Sequence, residues 1–187
     1  MSIIFPKLYS KDTKKYGKGM YAGEDIEKGR IVHLMGGVRM DVKDLVKKVN
    51  SKKENIDDPF QIGKRTYIDL DEVSRTFNHS CDPSVGIRKN SEMFALRDIK
   101  KDEQLTYDYS LTIAPTTWSM ECVCGSNICR KKLGDIKSIP QKRLEIYKKL
   151  GCIQTYMKKI IKEIENDTYV IPKYELSALD NLEKTYN

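Results

Sequence analysis

The stretch that decides how this chain reads is Arg75-Thr-Phe-Asn-His-Ser-Cys-Asp-Pro-Ser84. An Asn-His-Ser-Cys run beside Asp-Pro makes a tight polar turn, and a polar turn at the end of a strand is a place to hold a ligand. It carries one cysteine, Cys81, whose partners lie far downstream. Cys122-x-Cys124 is followed by four residues and then Cys129, three soft ligands in one short run bent at Gly125. Zinc takes four ligands in a tetrahedron, so three local cysteines require a distant fourth. Cys81 and Cys152 are the candidates. Cys152 follows Gly151 in an apolar helical context, where a buried free thiol is the ordinary expectation. Use of Cys81 would instead tie the late loop to the Asn78 turn and build a pocket from two remote pieces of chain. A closed four-cysteine site leaves no position for a substrate, so such a metal is structural. Arg130, Lys131 and Lys132 would offset its negative charge.

Composition narrows the classes around that core. With 187 residues the chain is long enough to bury a core without disulfides. Its 39% hydrophobic and 33% charged residues fit an ordinary soluble domain and not a disordered or membrane class. The apolar start Ile3-Ile4-Phe5 ends at Pro6, short of a signal-peptide core, and no run is long enough to span a bilayer. The expected setting is intracellular, cytoplasmic or nuclear, where cysteines serve as ligands or core residues more often than as disulfides. The net charge of +7 invites a nucleic-acid reading, but the lysines come as scattered pairs with no interleaved aromatics. A solvated basic surface is expected over a nucleic-acid groove.

Along the chain, Tyr16-Gly-Lys-Gly-Met-Tyr-Ala-Gly23 reads as a glycine-spaced turn, followed by a second turn at Asp25 to Gly29 and the strand Ile31 to Leu34. The glycine spacing does not match a dinucleotide fingerprint, although such glycines let backbone amides approach a ligand closely. Val42, Leu45, Val46 and Val49 predict a short amphipathic helix from Asp41 to Asn50. Strands are expected at Phe60 to Ile62, Thr66 to Leu70, Met93 to Leu96 and Leu105 to Tyr109. Beyond the cysteines the character changes. A helix opens at Ser138-Ile-Pro-Gln and stops at Gly151, a second follows the helical spacing of Ile153, Met157, Ile160, Ile161 and Ile164, and Glu175 to Tyr186 is a third candidate. The fold class is mainly β with α, ending in a helical cap.

At this point the chain resembles a SET-domain protein lysine methyltransferase. The matching motifs come in family order: Gly17-Lys-Gly19 with the Ile26-Glu-Lys-Gly29 turn, Arg75 to Pro83, Gln104-Leu-Thr-Tyr-Asp-Tyr109, and the Cys-x-Cys-x4-Cys-Arg of a post-SET zinc loop ending at Arg130. The resemblance implies small curved sheets with a pseudoknot. It divides the chain into a SET domain at 1–113 with an insert at about 40–70, a zinc loop at 114–135 and a C-terminal helical extension at 136–187 packed on the same domain. It implies that Lys18, Gly19, Met20, Asn78 and His79 hold S-adenosylmethionine, with Trp118 either covering the adenine or serving as a core residue. Tyr109 then stands at the methyl-transfer centre beside Tyr107, and Cys81 joins Cys122, Cys124 and Cys129 on zinc.

The implied activity is methylation of lysine in a protein substrate, histone or other basic protein, with mono- and dimethylation expected because Tyr107 stands where members carry phenylalanine or tyrosine. A catalytically silent module that binds a protein or nucleic acid is the alternative. Four residues depart from the family pattern: Ser84 where asparagine is usual, Thr76 for a bulky apolar residue, and Asp102 and Gln104 for glycine and glutamate. Glu54, Asp57, Asp58, Asp69, Asp71 and Glu72 cluster in the insert, where they either face a basic peptide or are solvated turn acids.

Overall fold

The computed structural model describes residues 3–14, 17–51, 59–116 and 118–171. In chain order the elements are β1 (Leu8–Thr13), β2 (Gly17–Ala22), β3 (Ile31–Leu34), β4 (Gly37–Asp41), α1 (Val42–Asn50), β5 (Phe60–Gln61) and β6 (Thr66–Leu70). There follow β7 (Asn78–His79), β8 (Val85–Arg88), β9 (Glu92–Ala95), β10 (Thr106–Tyr107), β11 (Met120–Glu121), β12 (Lys132–Leu133), α2 (Gln141–Lys149) and α3 (Thr155–Glu165). The strands form small sheets in the orders β1-β2, β3-β9-β8, β4-β6-β5, β10-β7 and β11-β12. All pairings are antiparallel except β7 with β10, which runs parallel over Asn78↔Thr106 and His79↔Tyr107. That short pairing lays the late Tyr107 segment beside the early Asn78 segment and makes the crossing that the expected pseudoknot needs.

The glycine-spaced stretch is a strand, not a turn. β1 and β2 pair from Leu8↔Ala22 to Thr13↔Gly17, with Met20 and Ala22 buried and Lys18 exposed. Gly19 is required by what crosses it: an added Cβ would sit 2.5 Å from Gln104 Nε2 and 2.8 Å from Thr13 Cγ2. The strand expected at Leu105 to Tyr109 is cut to two residues. Asp108 accepts from Ser110 N–H at 3.2 Å and caps a 3₁₀ turn over Tyr109–Thr112, so the chain turns where β-forming residues alone predict a continued strand.

Two apolar clusters carry the fold. The first joins β2, β3, β5, β6, β8, β9 and β10 through Met20, Val32, Phe60, Ile68, Val85, Met93 and Tyr107. The second seats the C-terminal helices, Leu144 and Tyr147 from α2 and Met157, Ile160 and Ile161 from α3, on Phe94, Leu111, Ile136 and Ile139. Helix α2 stops as expected at Gly151 (φ +71°). Cys152 N–H donates to Tyr147 O at 3.0 Å and Gly151 N–H to Lys148 O at 3.0 Å, the paired bonds of a left-handed cap that satisfy the last carbonyls. Cys152 itself is buried in this helical cluster, with its thiol pushed up to about 12, mainly by burial. The third helical candidate, 175–186, lies outside the described residues. No helix of the described residues is long and apolar enough to cross a membrane.

The departures from the family pattern have local reasons. Asp102 takes a left-handed conformation (φ +67°), one in which glycine carries no steric cost and aspartate is tolerated. Its carboxylate accepts from Tyr9 Oη at 2.7 Å. Ser84 Oγ donates to Gln104 O at 3.2 Å and accepts from Thr106 N–H at 3.1 Å, stitching the approach to β10. Thr76 Oγ1 donates back to Val73 O at 2.6 Å within a 3₁₀ turn over Ser74–Thr76.

Candidate active site

The crossing of β7 and β10 collects the aromatic residues. The rings of Tyr107 and Tyr109 lie with centroids 4.7 Å apart. Phe60 meets Tyr107 edge-on at 6.3 Å, and His79 meets Tyr109 edge-on at 5.3 Å. Tyr109 Oη donates to the Phe77 carbonyl at 3.1 Å, which fixes the ring. Tyr107 is buried, and burial, reinforced by Tyr109 and Asp108, raises its phenol well above the ordinary range. It therefore stays neutral at any working pH and acts as a wall.

Beside this pair, β2 and β7 form a backbone cradle. Asn78 Nδ2 donates to Lys18 O at 3.2 Å, and Leu105 N–H donates to Met20 O at 2.8 Å. Gly19 lies between them, packed against Gln104 and Asn78. Gln104 Nε2 is buried there and has no partner among the described residues. Lys18 reaches away from the cradle, with Nζ 3.3 Å from Glu72 Oε1.

The thiols converge from the other side. Donor atoms of His79, Cys81, Cys122 and Cys124 all lie within 4.8 Å of one another. Cys81 Sγ is 3.8 Å from Cys122 Sγ, and Cys129 Sγ is 3.6 Å from Cys122 Sγ. A tetrahedron of sulfurs around zinc at ~2.3 Å has edges of about 3.8 Å, so these separations fit that ion. The hydrogen bonds of His79 argue against the ring as a ligand. Tyr109 N–H donates to its Nδ1 at 3.3 Å, which places the ring proton on Nε2, facing Cys81 Sγ at 3.3 Å. Burial, with Arg130 nearby, draws His79 down to about 3, so a neutral imidazole steadies the sulfur. Burial raises the Cys81 thiol against the pull of Arg130. Cys124 is drawn down to about 6, hydrogen bonds from the Cys81 segment and Ser126 outweighing its burial. Cys152 belongs to the helical cluster and not to this one.

Asp108, inside the Thr-Tyr-Asp-Tyr motif, joins the three regions. Its carboxylate meets Arg130 Nη2 at 2.5 Å and Tyr147 Oη at 3.1 Å, and it lies 3.8 Å from His79 Nδ1. Burial pushes this carboxyl above the usual range despite the opposing pull of Arg130 and Tyr147. Arg130 also donates its N–H to Cys81 Sγ at 3.4 Å, while Arg143 of α2 donates to Cys81 O at 2.9 Å and to Asp82 at 2.7 Å. Asp108 lies within a motif but was given no role there, and Arg143 carries no motif signal; only the tertiary structure shows their part. Trp118 packs on Cys81, Cys122 and Leu133. Of the acidic cluster, Asp69 is engaged by Lys48 and Arg75 and Asp71 accepts from Ser74 N–H at 2.8 Å. Glu54, Asp57 and Asp58 lie outside the described residues.

Small sheets cross at a tyrosine pair, Tyr107 buried and Tyr109 partly buried, with a thiol-rich loop on the other side. The SET domain profile matches residues 17–110, and the chain belongs to the SET-domain family. It is 36% identical over 141 residues to the putative histone-lysine N-methyltransferase ASHH4 of Arabidopsis thaliana, a match that covers 68% of this chain and 40% of that protein. The chain thus spans 40% of the length of that curated relative. Among solved structures, the methyltransferase domain of human histone-lysine N-methyltransferase SETMAR superposes with a TM-score of 0.57 at 23% identity, over 70% of this chain and 58% of that one. KRYPTONITE in complex with mCHH DNA, an H3(1-15) peptide and SAH superposes with a TM-score of 0.54 at 25% identity, over 69% of this chain and 30% of that one.

Proposed function

We propose that this protein is an S-adenosylmethionine-dependent protein lysine N-methyltransferase acting on a basic, histone-like protein, producing mainly mono- and dimethyllysine. The observation that carries this reading is the Tyr107–Tyr109 pair, with centroids 4.7 Å apart, set directly beside the cradle of Lys18, Gly19, Met20 and Asn78. The names of the relatives support the same chemistry and the histone-like acceptor, and such an acceptor places the enzyme inside the cell, in a nucleus where there is one.

A lysine amine with an ordinary pKa near 10.4 is mostly charged at pH 7, and removing its proton costs about 4 to 5 kcal/mol. A dry aromatic channel lowers that pKa by desolvation, which lets the amine enter neutral without a dedicated base. Tyr109 Oη, anchored by its bond to Phe77 O, accepts from the amine and orients it, and positioning supplies much of the rate. S-adenosylmethionine, when bound at the cradle, supplies the methyl group. Tyr107 fills the end of the channel, and its hydroxyl occupies space that a larger product needs. Cys81, Cys122, Cys124 and Cys129 are proposed as zinc ligands, with His79 donating to Cys81, and the ion would supply a structural cross-link. We divide the chain accordingly into the catalytic module at 1–113, the zinc loop at 114–135 and a helical extension at 136–187.

Transfer of labelled methyl from S-adenosylmethionine to core histones and host-lysate proteins tests the reading. Wild-type protein is expected to label a protein band and Tyr109→Phe to lose that labelling. Equal labelling by both would remove Tyr109 from the chemistry. Tyr107→Phe is expected to shift mass spectra toward trimethyllysine, and an unchanged product ratio would overturn the product assignment.

A further inference from the structure

Apart from the site, the polar junction at the start of α3 stands out. Gln154 and Gln61 are both buried, at 1% and 4% exposure. Gln154 Nε2 donates to Gln61 O at 3.0 Å and to Asn90 O at 2.6 Å. Gln61 in turn accepts from Ala114 N–H on Oε1 at 3.0 Å. Thr155 N–H donates to Lys89 O, and Tyr156 Oη donates to Thr112 O at 2.7 Å. Farther along the helix, Glu163 accepts from Lys64 Nζ at 2.9 Å, so α3 is tied to the β5–β6 hairpin at two points. The segments it joins lead straight to the tyrosine pair. Phe60, next to Gln61, packs on Tyr107, and Thr112 and Ala114 close the turn that begins at Tyr109.

The chemistry of the junction is costly for a role in stability alone. Among the described residues, Gln61 Nε2 and Gln154 Oε1 are buried and find no partner, and each such group costs about 1–3 kcal/mol. The rest of α3 seats itself through Met157, Ile160 and Ile161, and an apolar residue at 154 would extend that seat. What the amides add is register, because directional bonds hold β5 at one height against the Tyr109 turn.

We propose that Gln154, acting through Gln61, is a positioning residue for the lysine channel: it fixes Phe60 against Tyr107 and couples the C-terminal helix to acceptor binding. This rests on the methyltransferase reading for its functional part and on hydrogen bonds alone for its structural part. Gln154→Glu keeps the shape and removes the donor. Hydrogen exchange of the variant should rise several-fold at 60–68 and 110–114, with the β1–β2 ladder unchanged. KM for a histone acceptor should rise about threefold to tenfold, the size expected for losing the one of the two donated bonds that reaches Gln61 O, with S-adenosylmethionine affinity unchanged. Should that variant fold poorly, Lys64→Glu loosens the same hairpin from the surface, and Lys64→Glu with Glu163→Lys should restore wild-type exchange there.

Unchanged exchange at 60–68 in Gln154→Glu, or a parallel loss of cofactor affinity and acceptor KM, would overturn the proposal. So would a double reversal that fails to restore exchange when Lys64→Glu has raised it. If wild-type protein methylates nothing, the enzymatic reading fails by its own assay, and the exchange measurement still decides the coupling.

Discussion

Two regions approach the same tyrosine pair by opposite means. The module of β1 to β10 arrives on apolar burial, with Ala22, Val32, Val85, Met93, Ala95 and Leu105 all at 0% exposure. The cysteine loop arrives with almost none. Leu133 is buried beside Cys81 and Cys122, while Met120, Val123 and Ile128 stand 37%, 58% and 50% exposed. Its only strands are the two-residue β11 and β12. A segment that buries so little cannot repay the entropy of ordering its backbone, roughly 1–2 kcal/mol per residue. Something other than hydrophobic burial must hold it, and the thiols and the Asp108–Arg130 pair are what the chain offers.

The largest expected effect breaks that contrast outright. Chelation of zinc, or Cys122→Ser, should release 118–133 to hydrogen exchange while leaving the β1–β10 ladders protected, since structural zinc contributes roughly 10 kcal/mol or more in small sites. Persistence of protection in the loop after verified metal removal would mean that it is held by packing after all. Next comes Asp108→Ala, which leaves Arg130 buried and unpaired and should cost about 3–5 kcal/mol in urea titration. Loop protection is expected to fall with it, because Arg130 also donates to Cys81. Tyr147→Phe removes one bond to the same carboxylate and should cost about 1–3 kcal/mol, read as a lower denaturation midpoint with the loop still protected.

The smallest effect lies wholly on the apolar side. His33 stacks on Phe77 at 5.2 Å, and burial lowers its pKa against the pull of Asp71. A depressed histidine binds its proton more readily unfolded than folded, so stability falls as pH drops below the ordinary histidine range. His79, drawn down to about 3, contributes in the same direction. His33→Gln, compared with wild type from pH 7 to pH 5 by thermal melting, should therefore show a shallower loss. An equal slope in the two proteins would show that His33 does not titrate in this window.

The sequence reading was sharpest where one local rule suffices. Periodic Leu144, Tyr147, Met157, Ile160 and Ile161 with a glycine stop after the first marked both described C-terminal helices, and the cysteine spacing marked the loop. It was poorest where a distant neighbour decides. Gly17 and Gly19 signal a turn locally, yet Gly19 is glycine because Gln104 and Thr13 press against a strand there. Leu105 to Tyr109 reads as one strand, yet the Asp108 side chain ends it after Tyr107. The acids at 69 and 71 looked available to a ligand and are engaged within the chain. The glutamine pair 61 and 154 left no trace, because a buried amide looks like any surface glutamine until its environment is seen.

The parallel pairing of Asn78–His79 with Thr106–Tyr107 also constrains how the molecule is made. A ribosome delivers the first half of this ribbon well before the second, and strands that must wait for distant partners fold slowly. Until the later tyrosines emerge, the nascent chain lacks the partner strand of Asn78–His79 and keeps the apolar faces of β8 and β9 only partly covered. Stalled or truncated products ending before residue 106 should therefore be prey for chaperones and proteases.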